Sequence, residues 1–317
     1  MSLTRTLLVL SAACLLAALV SAWDRELFVG DETKYAQVVR EMAEDGSLLV
    51  PLLDGEPYSH KPPLHFWTIL ALTVPFGRNS IWPYVLPSLI AAALLLFLVE
   101  RAGRRLFDAR SAAVATFVTA TFAMIWGSAQ SARMDLAFTF LLSACAVALF
   151  AFLRDGGARS LYAAAAFCGV AMLVKGPAAL LIVGALLGFE RLRGRRLPRG
   201  PWLRAIAIAA VIPLAWLVPA LAVAGRPYAR ELFVTQTLAR AVNTWVHGEP
   251  PWFYLLRAPV TFLPWFAAGL AGLLAAWRRG EDATRDEARF CASWFFAVLV
   301  PFSIVSSKLD VYMMPAM

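Results

Sequence analysis

Charged residues, histidine and cysteine are all scarce in this sequence of 317 residues. Charged residues make up 16% of the chain and hydrophobic residues 60%, which is too apolar for an ordinary soluble globule. The three histidines, His60, His65 and His247, are too few for a His-rich metal site built by the protein alone. The four cysteines lie in apolar segments without paired spacing, so we expect small core residues rather than disulfides or ligands. Gly-rich phosphate loops, HExxH and nucleophile-elbow motifs are also missing.

Long apolar runs indicate an all-α polytopic membrane protein. A helix needs about 20 residues to cross the hydrocarbon, and most of the runs approach that length. The runs lie at residues 7–22, 81–99, 112–128, 136–153, 161–174, 178–189, 205–224, 260–277 and 290–305. A further apolar piece, 64–76, is short and follows a Pro pair, so we expect it to lie at the outer surface without crossing. The first run also resembles a cleavable signal peptide, although an uncleaved first helix satisfies the same pattern.

The net charge of +8 is unevenly distributed along the chain. Arg5 and the segments 101–110, 154–159, 191–204 and 278–289, with Glu100 and Glu190 at their edges, hold 17 of the 29 Lys and Arg residues but 8 of the 21 acids. By the positive-inside rule these segments are cytoplasmic loops, and the excess does not indicate nucleic-acid binding. Alternation then places five other segments outside: 24–63, 131–135, 175–177, 225–259 and 306–312.

The densest group of carboxylates lies in the first predicted outer loop, in the stretch DETKYAQVVREMAEDG. The spacing predicts an amphipathic helix that ends at Gly46. One face of this helix would carry Tyr35, Val38, Val39 and Met42. Asp31 would be the N-cap of this helix, and Glu32 would complement the helix dipole. Capping leaves a second observation unexplained, because the same outer face also gathers cations.

The five outer segments together contribute, among others, six basic or imidazole side chains: Lys61, Arg133, Lys175, Arg240, His247 and Lys308. Ionisable groups at the ends of apolar helices are costly and most often functional. Each also has a structural alternative, since Lys175 could reach the interface from a turn, Arg133 could pair with Asp135, and the Trp-rich loop around His247 could be an interfacial belt. Together, near a carboxylate, they predict an anionic ligand, with phosphate as the leading candidate.

Five segments in order resemble the polyprenyl-phosphate-dependent membrane glycosyltransferases of the GT-C fold: DETKYAQVVREM, GEPYSHKPPLHFW, SARMDLAFTF, LVKGPAALL and SSKLDVYMMP. Within that group the sequence is most similar to the aminoarabinose transferases that modify lipid A and to the protein mannosyltransferases. The resemblance runs from about Asp24 to the end of the chain. It implies a GT-C-type transmembrane helix bundle with a helical first periplasmic loop, in the bacterial inner membrane, with its active site on the periplasmic face.

The resemblance also implies a division of the chain. Residues 1–224 would form the transmembrane catalytic module, including the periplasmic loop 24–63. Residues 225–259 would form a second periplasmic loop, and 260–317 further transmembrane helices. Members of the family are considerably longer, so we expect the sequence to be truncated.

The family uses an Asp in the first periplasmic loop, which matches Asp31, with Glu32 beside it as a second catalytic candidate. The resemblance implies that Asp31 activates or orients the acceptor hydroxyl while the sugar leaves with inversion. A lipid phosphate departs as an anion without a general acid, so one carboxylate base and cations suffice. Candidates for binding donor phosphate or substrate are Lys34, Tyr35, Tyr58, Lys61, Arg133, Lys175, Arg240, His247 and Lys308. Of these, Lys61 and Arg240 match family residues that hold the donor phosphate.

Two departures from the aminoarabinose transferases concern a metal. His60 stands where they usually have Glu, and Gln236-Thr237 stands where they have a Glu-His pair. These positions can contribute to a bound divalent metal in the family, so His60 is the candidate metal ligand that the resemblance leaves here.

The partners implied by the resemblance are a polyprenyl-phosphate sugar donor, membrane lipids, and a lipid, glycan or protein acceptor. The residues alone leave two other functions open. One is a transporter or flippase that binds a phosphate headgroup, although no inverted repeat is evident. The other is a structural or assembly subunit.

Overall fold

The computed structural model describes residues 2–28, 30–239, 248–278 and 285–317, and most of these residues are helical. The helices are α1 Leu3–Ser21, α2 Asp31–Asp45, α3 Leu64–Phe76, α4 Trp82–Leu106, α5 Ala109–Thr121, α6 Ala123–Ala129, α7 Asp135–Asp155, α8 Ala158–Lys175, α9 Ala178–Leu192, α10 Trp202–Arg230, α11 Phe253–Thr261, α12 Phe266–Arg278 and α13 Arg285–Ile304. A π-helical segment, Glu231–Ala239, continues α10, and a 3-10 helix covers Asp310–Ala316. The strands β1 Leu52–Leu53 and β2 Glu56–Pro57 form an antiparallel hairpin.

Within the described residues, six helices are long and apolar enough to cross a membrane, or up to eight if each of two bent pairs is one span. The six are α1, α4, α7, α8, the helix beginning at Trp202 and α13. Each of the nine apolar runs of the sequence is mostly helical, which confirms the predicted all-α polytopic architecture. Helix α3 has 13 residues, or about 20 Å of length against a hydrocarbon core of about 30 Å. That it does not cross stays a prediction.

Two apolar runs that the sequence presents as single helices are broken. The run 112–128 divides into α5 and α6, bent by 65°, and the run 260–277 divides into α11 and α12, bent by 113°. Pro264 lies in the second break, where its missing N–H cannot continue a helix.

The two breaks satisfy each other's polar groups. Ala123 N donates to the carbonyl of Leu263 at 3.0 Å, and Trp265 Nε1 donates to Thr121 Oγ1 at 2.9 Å. Irregular backbone at membrane depth is tolerated where it is buried in protein and hydrogen-bonded. The hydrogen bonds between the two breaks therefore satisfy polar groups that the interrupted helices leave free.

Helix α2 lies outside the set of candidate spans and packs one face on the core. Tyr35, Val38, Val39 and Met42 are all buried, as their spacing predicts. The helix ends at Gly46, whose φ of +69° is the left-handed conformation typical of a helix end.

The prediction that Asp31 is the N-cap of α2 is wrong. Gly30 occupies that position with φ 119° and ψ −121°, a conformation that residues with a Cβ rarely adopt. Gly30 N donates to Thr33 Oγ1 at 3.2 Å. The Asp31 carboxylate is therefore not used to cap its own helix.

The expectation that all four cysteines are core residues is wrong for one of them. Cys145 and Cys168 are buried and Cys14 is half-buried, whereas Cys291 is exposed on α13. In a membrane protein an apolar helix face can meet lipid as well as protein, so an apolar segment does not by itself place a residue in the core.

Candidate active site

The start of α2 brings Asp31 to the connection between α6 and α7. Asp31 Oδ2 lies 3.2 Å from Arg133 Nη1, and the exposed fractions of the two side chains are 42% and 30%. This pair joins two of the segments predicted to face outward, which are 102 residues apart in sequence.

Arg133 continues the contact into the bundle. Its Nε donates to Asp135 Oδ2 at 3.0 Å, and Asp135 Oδ1 accepts from Lys175 Nζ. Asp135 is the first residue of α7 and is 3% exposed, while Lys175 is the last residue of α8. Asp31, Arg133, Asp135 and Lys175 thus form a chain of alternating charges, which we call the ion chain. Pairing of Arg133 with Asp135 was one alternative left open by the sequence, and it is confirmed.

The surroundings keep Arg133 charged. Burial of the guanidinium disfavours its charged form, but the carboxylates of Asp135 and Asp31 outweigh this and raise the pKa of Arg133. Burial, followed by the charge of Asp31, raises the pKa of Tyr35, so its phenol stays protonated and is not a base at neutral pH.

Glu32 has a different environment from Asp31, although the two are adjacent. Its carboxylate is almost fully buried, and it accepts from Ala132 N at 2.8 Å and from Phe28 N at 2.8 Å. It also forms an ion pair with Arg25. Glu32 therefore joins the start of α2 to the backbone immediately before Arg133.

A cavity of about 380 Å³ lies at the Lys175 end of the ion chain. Its wall contains residues from all five predicted outer segments: 24–63, 131–135, 175–177, 225–259 and 306–312. The polar and aromatic side chains on its wall include His60, Lys61, Asp135, Lys175, Gln236 and Tyr312. Lys175 Nζ also lies 5.3 Å from the ring centroids of Phe138 and Tyr312, so aromatic faces contribute to holding its charge.

A second cavity, of about 590 Å³, lies at the Asp31 end of the ion chain. Asp31 and Arg133 line it, together with Arg25, Glu32 and Trp126. The ion chain therefore runs from one cavity to the other, with Asp31 at one end and Lys175 at the other.

Several predicted site residues lie elsewhere. Lys34 is exposed on α2, and Tyr35 belongs to the core. Tyr58 is buried with its ring against His60, at a centroid distance of 4.9 Å. Lys308 is 2% exposed and donates to the carbonyl oxygens of Glu249 and Val305, at 2.8 and 2.6 Å. Arg240 and His247 lie outside the described residues.

The resemblance predicted His60 as a candidate ligand for a divalent metal. Among the residues that the structure describes, no group of three or more His, Cys, Asp or Glu side chains is placed to hold a metal ion. His60 lies on the wall of the 380 Å³ cavity, and Gln236, at the other departure, lies on the same wall and donates to Glu231 at 2.7 Å. The described residues therefore do not form a metal centre.

Sequence reasoning did not include two members of the site among its candidates, since Asp135 was expected only as a structural partner of Arg133 and Arg25 was expected only in a predicted outer segment. Asp135 holds both Arg133 and Lys175, and Arg25 holds Glu32. The signal for Asp135 was a carboxylate at the first position of an apolar helix, where a charge needs a partner. Arg25 carried no comparable signal.

The helix bundle is that of a polytopic membrane protein, and its match to a solved structure assigns it to the GT-C fold class. The crystal structure of ArnT from Cupriavidus metallidurans bound to undecaprenyl phosphate has the same fold, with a TM-score of 0.83 and 25% identity over 99% of this chain and 58% of that chain. The same protein in the apo state gives a TM-score of 0.80. The family model for dolichyl-phosphate-mannose-protein mannosyltransferases matches residues 60–218, half of the chain, and the chain belongs to this family.

Curated relatives agree with this assignment. An undecaprenyl phosphate-alpha-4-amino-4-deoxy-L-arabinose arabinosyl transferase of Pseudomonas aeruginosa is 31% identical over 328 aligned residues, covering 100% of this chain and 58% of the relative. The enzyme of the same name from Yersinia pestis is 31% identical over 308 residues, covering 92% of this chain and 54% of the relative. The chain thus spans somewhat more than half the length of these relatives. The predicted resemblance is confirmed.

Proposed function

We propose that this chain contains the catalytic part of a membrane glycosyltransferase, which moves a sugar from a polyprenyl-phosphate donor to a lipid A-like, glycan or protein acceptor. One observation carries the proposal. Lys61 and Lys175, at one end of the ion chain, line the same cavity, and Asp31 lies at the other end of the chain. The family and the names of the relatives support it.

The donor phosphate is assigned to the 380 Å³ cavity. Lys61 and Lys175 both line that cavity, and Lys61 matches the residue that holds the donor phosphate in the resembling family, so we assign the phosphate to Lys61. Arg240 is proposed as a second phosphate ligand on the resemblance alone. Cations at the departing oxygen stabilise the charge that develops there, so the leaving group needs no proton.

Asp31 is assigned the role of base. It is 42% exposed in the second cavity, where an acceptor hydroxyl can reach it, and Arg133 orients its carboxylate. The acceptor oxygen would attack the anomeric carbon while its proton passes to Asp31. The bond from that carbon to the phosphate oxygen breaks, and the polyprenyl phosphate leaves as an anion. Attack from the side opposite the leaving phosphate inverts the anomeric carbon.

Glu32 is assigned a positioning role. Both of its oxygens accept hydrogen bonds, from Ala132 and Phe28, and Arg25 pairs with it. It would hold Asp31 against Arg133 without contacting substrate.

We place this site on the periplasmic face of the bacterial inner membrane. The Arg-rich loops that the positive-inside rule assigns to the cytoplasm lie on the far side of the candidate spans from Asp31 in the predicted topology.

The test is sugar transfer from a polyprenyl-phosphate donor by the intact protein carrying Asp31→Asn. Loss of the base is expected to lower turnover by roughly 100-fold or more. Asp45→Asn is the matched control, because Asp45 is an exposed Asp at the other end of α2. Turnover of Asp31→Asn at the wild-type rate would remove Asp31 from its role. Substrate accumulation in vesicles without sugar transfer would favour a transporter instead.

A further inference from the structure

Glu41 is a buried carboxylate of α2 that the reaction above does not use. It is 8% exposed. Its Oε1 accepts from Asp54 N and from Gln37 Nε2, each at 2.8 Å, and its Oε2 accepts from Gly55 N at 3.1 Å. Both oxygens of Glu41 are therefore held, and two of the three donors belong to the turn between β1 and β2.

That turn has a conformation suited to an anion. Asp54 and Gly55 have φ values of +56° and +78°, and two successive left-handed residues are the mark of a type I′ hairpin turn. Successive backbone N–H groups in such a turn converge on one point and form a concavity that binds anions. Burial of the Glu41 carboxyl raises its pKa, but the hydrogen bonds from Gly55 and Asp54 outweigh this and leave the pKa lowered. Glu41 is thus the ionised occupant of that concavity.

The hairpin leads directly into the segment assigned to the donor phosphate. Its register pairs Leu52 with Pro57, and Tyr58 N extends it by donating to Pro51 O at 2.8 Å. The residues that follow, Ser59, His60 and Lys61, lie on the wall of the 380 Å³ cavity. The position of the hairpin therefore sets the point from which the Lys61 segment starts.

The helix that carries Glu41 also carries Asp31. The two residues are ten positions apart, or about 15 Å along one rigid helix. Asp31 lies on the second cavity and Lys61 on the first. A single element thus connects the proposed base to the proposed phosphate ligand.

We propose that Glu41 is a positioning residue, which locks the Asp54-Gly55 turn onto α2 and so sets Lys61 relative to Asp31. The inference rests on the proposed function, because it gives these two side chains their roles. Glu41 itself contacts neither donor nor acceptor.

Kinetics and donor binding of Glu41→Ala test the proposal, with the intact protein in lipid nanodiscs. Freeing the hairpin is expected to weaken undecaprenyl phosphate binding by roughly tenfold, and to lower kcat/KM by up to about 100-fold, because small misplacements of binding groups are costly. Glu41→Gln keeps one carbonyl acceptor and should lose less. Glu44→Gln is the control, since Glu44 is exposed on the same helix and pairs only with Arg40 among the described residues.

A rescue variant separates positioning from general stability. Asn-Gly is a strong type I′ sequence, so Asp54→Asn should help the turn to form when the Glu41 carboxylate is absent. We expect Asp54→Asn, placed in the Glu41→Ala background, to recover part of the lost binding. Glu41→Ala with wild-type binding and kcat/KM would overturn the proposal, and so would a complete failure of Asp54→Asn to recover binding.

Hydrogen exchange provides a readout that does not depend on sugar transfer. Glu41→Ala should raise exchange in residues 52–58 while α7 and α8 keep their protection. A uniform rise over the whole chain would show a role in stability alone and would overturn the positioning role. If the wild type binds undecaprenyl phosphate but transfers no sugar, the proposed function fails. Weaker undecaprenyl phosphate binding and faster hydrogen exchange of the hairpin in Glu41→Ala would then still support a role of Glu41 in positioning the segment that contains Lys61.

Discussion

Three buried carboxylates near the candidate site each have several hydrogen-bond donors, whereas Asp31 is half exposed. Glu32, Glu41 and Asp135 are at most 8% exposed, and each accepts from two or more donors. A buried charge is costly unless it is paired and hydrogen-bonded, so these three groups are occupied in holding the fold. Asp31 is 42% exposed and pairs with Arg133 at one side. This difference in exposure is the physical reason for assigning the chemistry to Asp31.

His65 predicts a pH dependence at the same scale. Burial lowers the pKa of His65 from 6.5 to about 4, and its ring hydrogen-bonds to the backbone of Ala132. The unfolded chain therefore binds a proton that the folded chain does not, and stability falls as the pH falls from 6.5 towards 4. The expected loss is on the order of 3 kcal/mol. It is measured by thermal unfolding in detergent at a series of pH values.

His65→Asn can keep a donor near Ala132 but does not titrate. We expect this variant to lose less stability than the wild type over the same pH interval. His60→Asn is the control, because His60 is exposed. Identical pH profiles for His65→Asn and the wild type would contradict the prediction.

At the scale of elements, the close approach of α8 and α10 depends on a residue without a side chain. A Cβ on Gly169 of α8 would lie 3.0 Å from the carbonyl oxygen of Ala209 and 3.0 Å from Ile212 Cδ1. Small residues are typical where membrane helices pack closely. The α8 helix ends at Lys175, so this contact also supports one end of the ion chain.

Gly169→Ala is therefore expected to destabilise the protein by about 1–3 kcal/mol, the usual cost of overpacking. Gly184→Ala in α9 is the matched control, since a Cβ there has no neighbour within 4 Å in the described structure. Thermal unfolding of the two variants in detergent provides the comparison. Equal stability of Gly169→Ala and Gly184→Ala would show that the α8–α10 contact relaxes without cost.

At the scale of the whole molecule, the topology depends on one short helix. Alternation of the basic loops allows only one of α3 and α4 to cross the membrane, and the shorter α3 is predicted not to cross. Glu56 and Asn79, on the two sides of α3, should then face the periplasm, and Phe107, after α4, should face the cytoplasm. All three residues are exposed.

Single-cysteine variants at these positions test the topology after the four native cysteines are replaced. A membrane-impermeant thiol reagent should label Glu56→Cys and Asn79→Cys from the outside of intact spheroplasts. Phe107→Cys should react in inverted vesicles. Labelling of Glu56→Cys and Asn79→Cys from opposite sides would show that α3 crosses.

Much of the site was predictable as a set of residues but not as a set of contacts. Asp31, Lys61, Arg133 and Lys175 were expected to face a common anionic ligand, and the structure connects three of them through Asp135. Lys308 looked equivalent in the sequence, yet its ammonium donates to backbone carbonyls. A Lys at a helix end has the same local pattern in both cases, and only its neighbours distinguish them.

The sequence by itself determined the helical membrane architecture, the amphipathic face of α2 and the predicted sidedness of the loops. These properties depend on contiguous residues, because helix periodicity and the bilayer both act along the chain. The tertiary structure decided which groups meet. Glu32 reaches Ala132 across 100 residues, Lys175 reaches Asp135 across 40, and the break before Ala123 meets the break at Leu263. Such pairings depend on the packing of whole helices, since a buried charge or a free backbone group takes the partner that the folded bundle brings within reach.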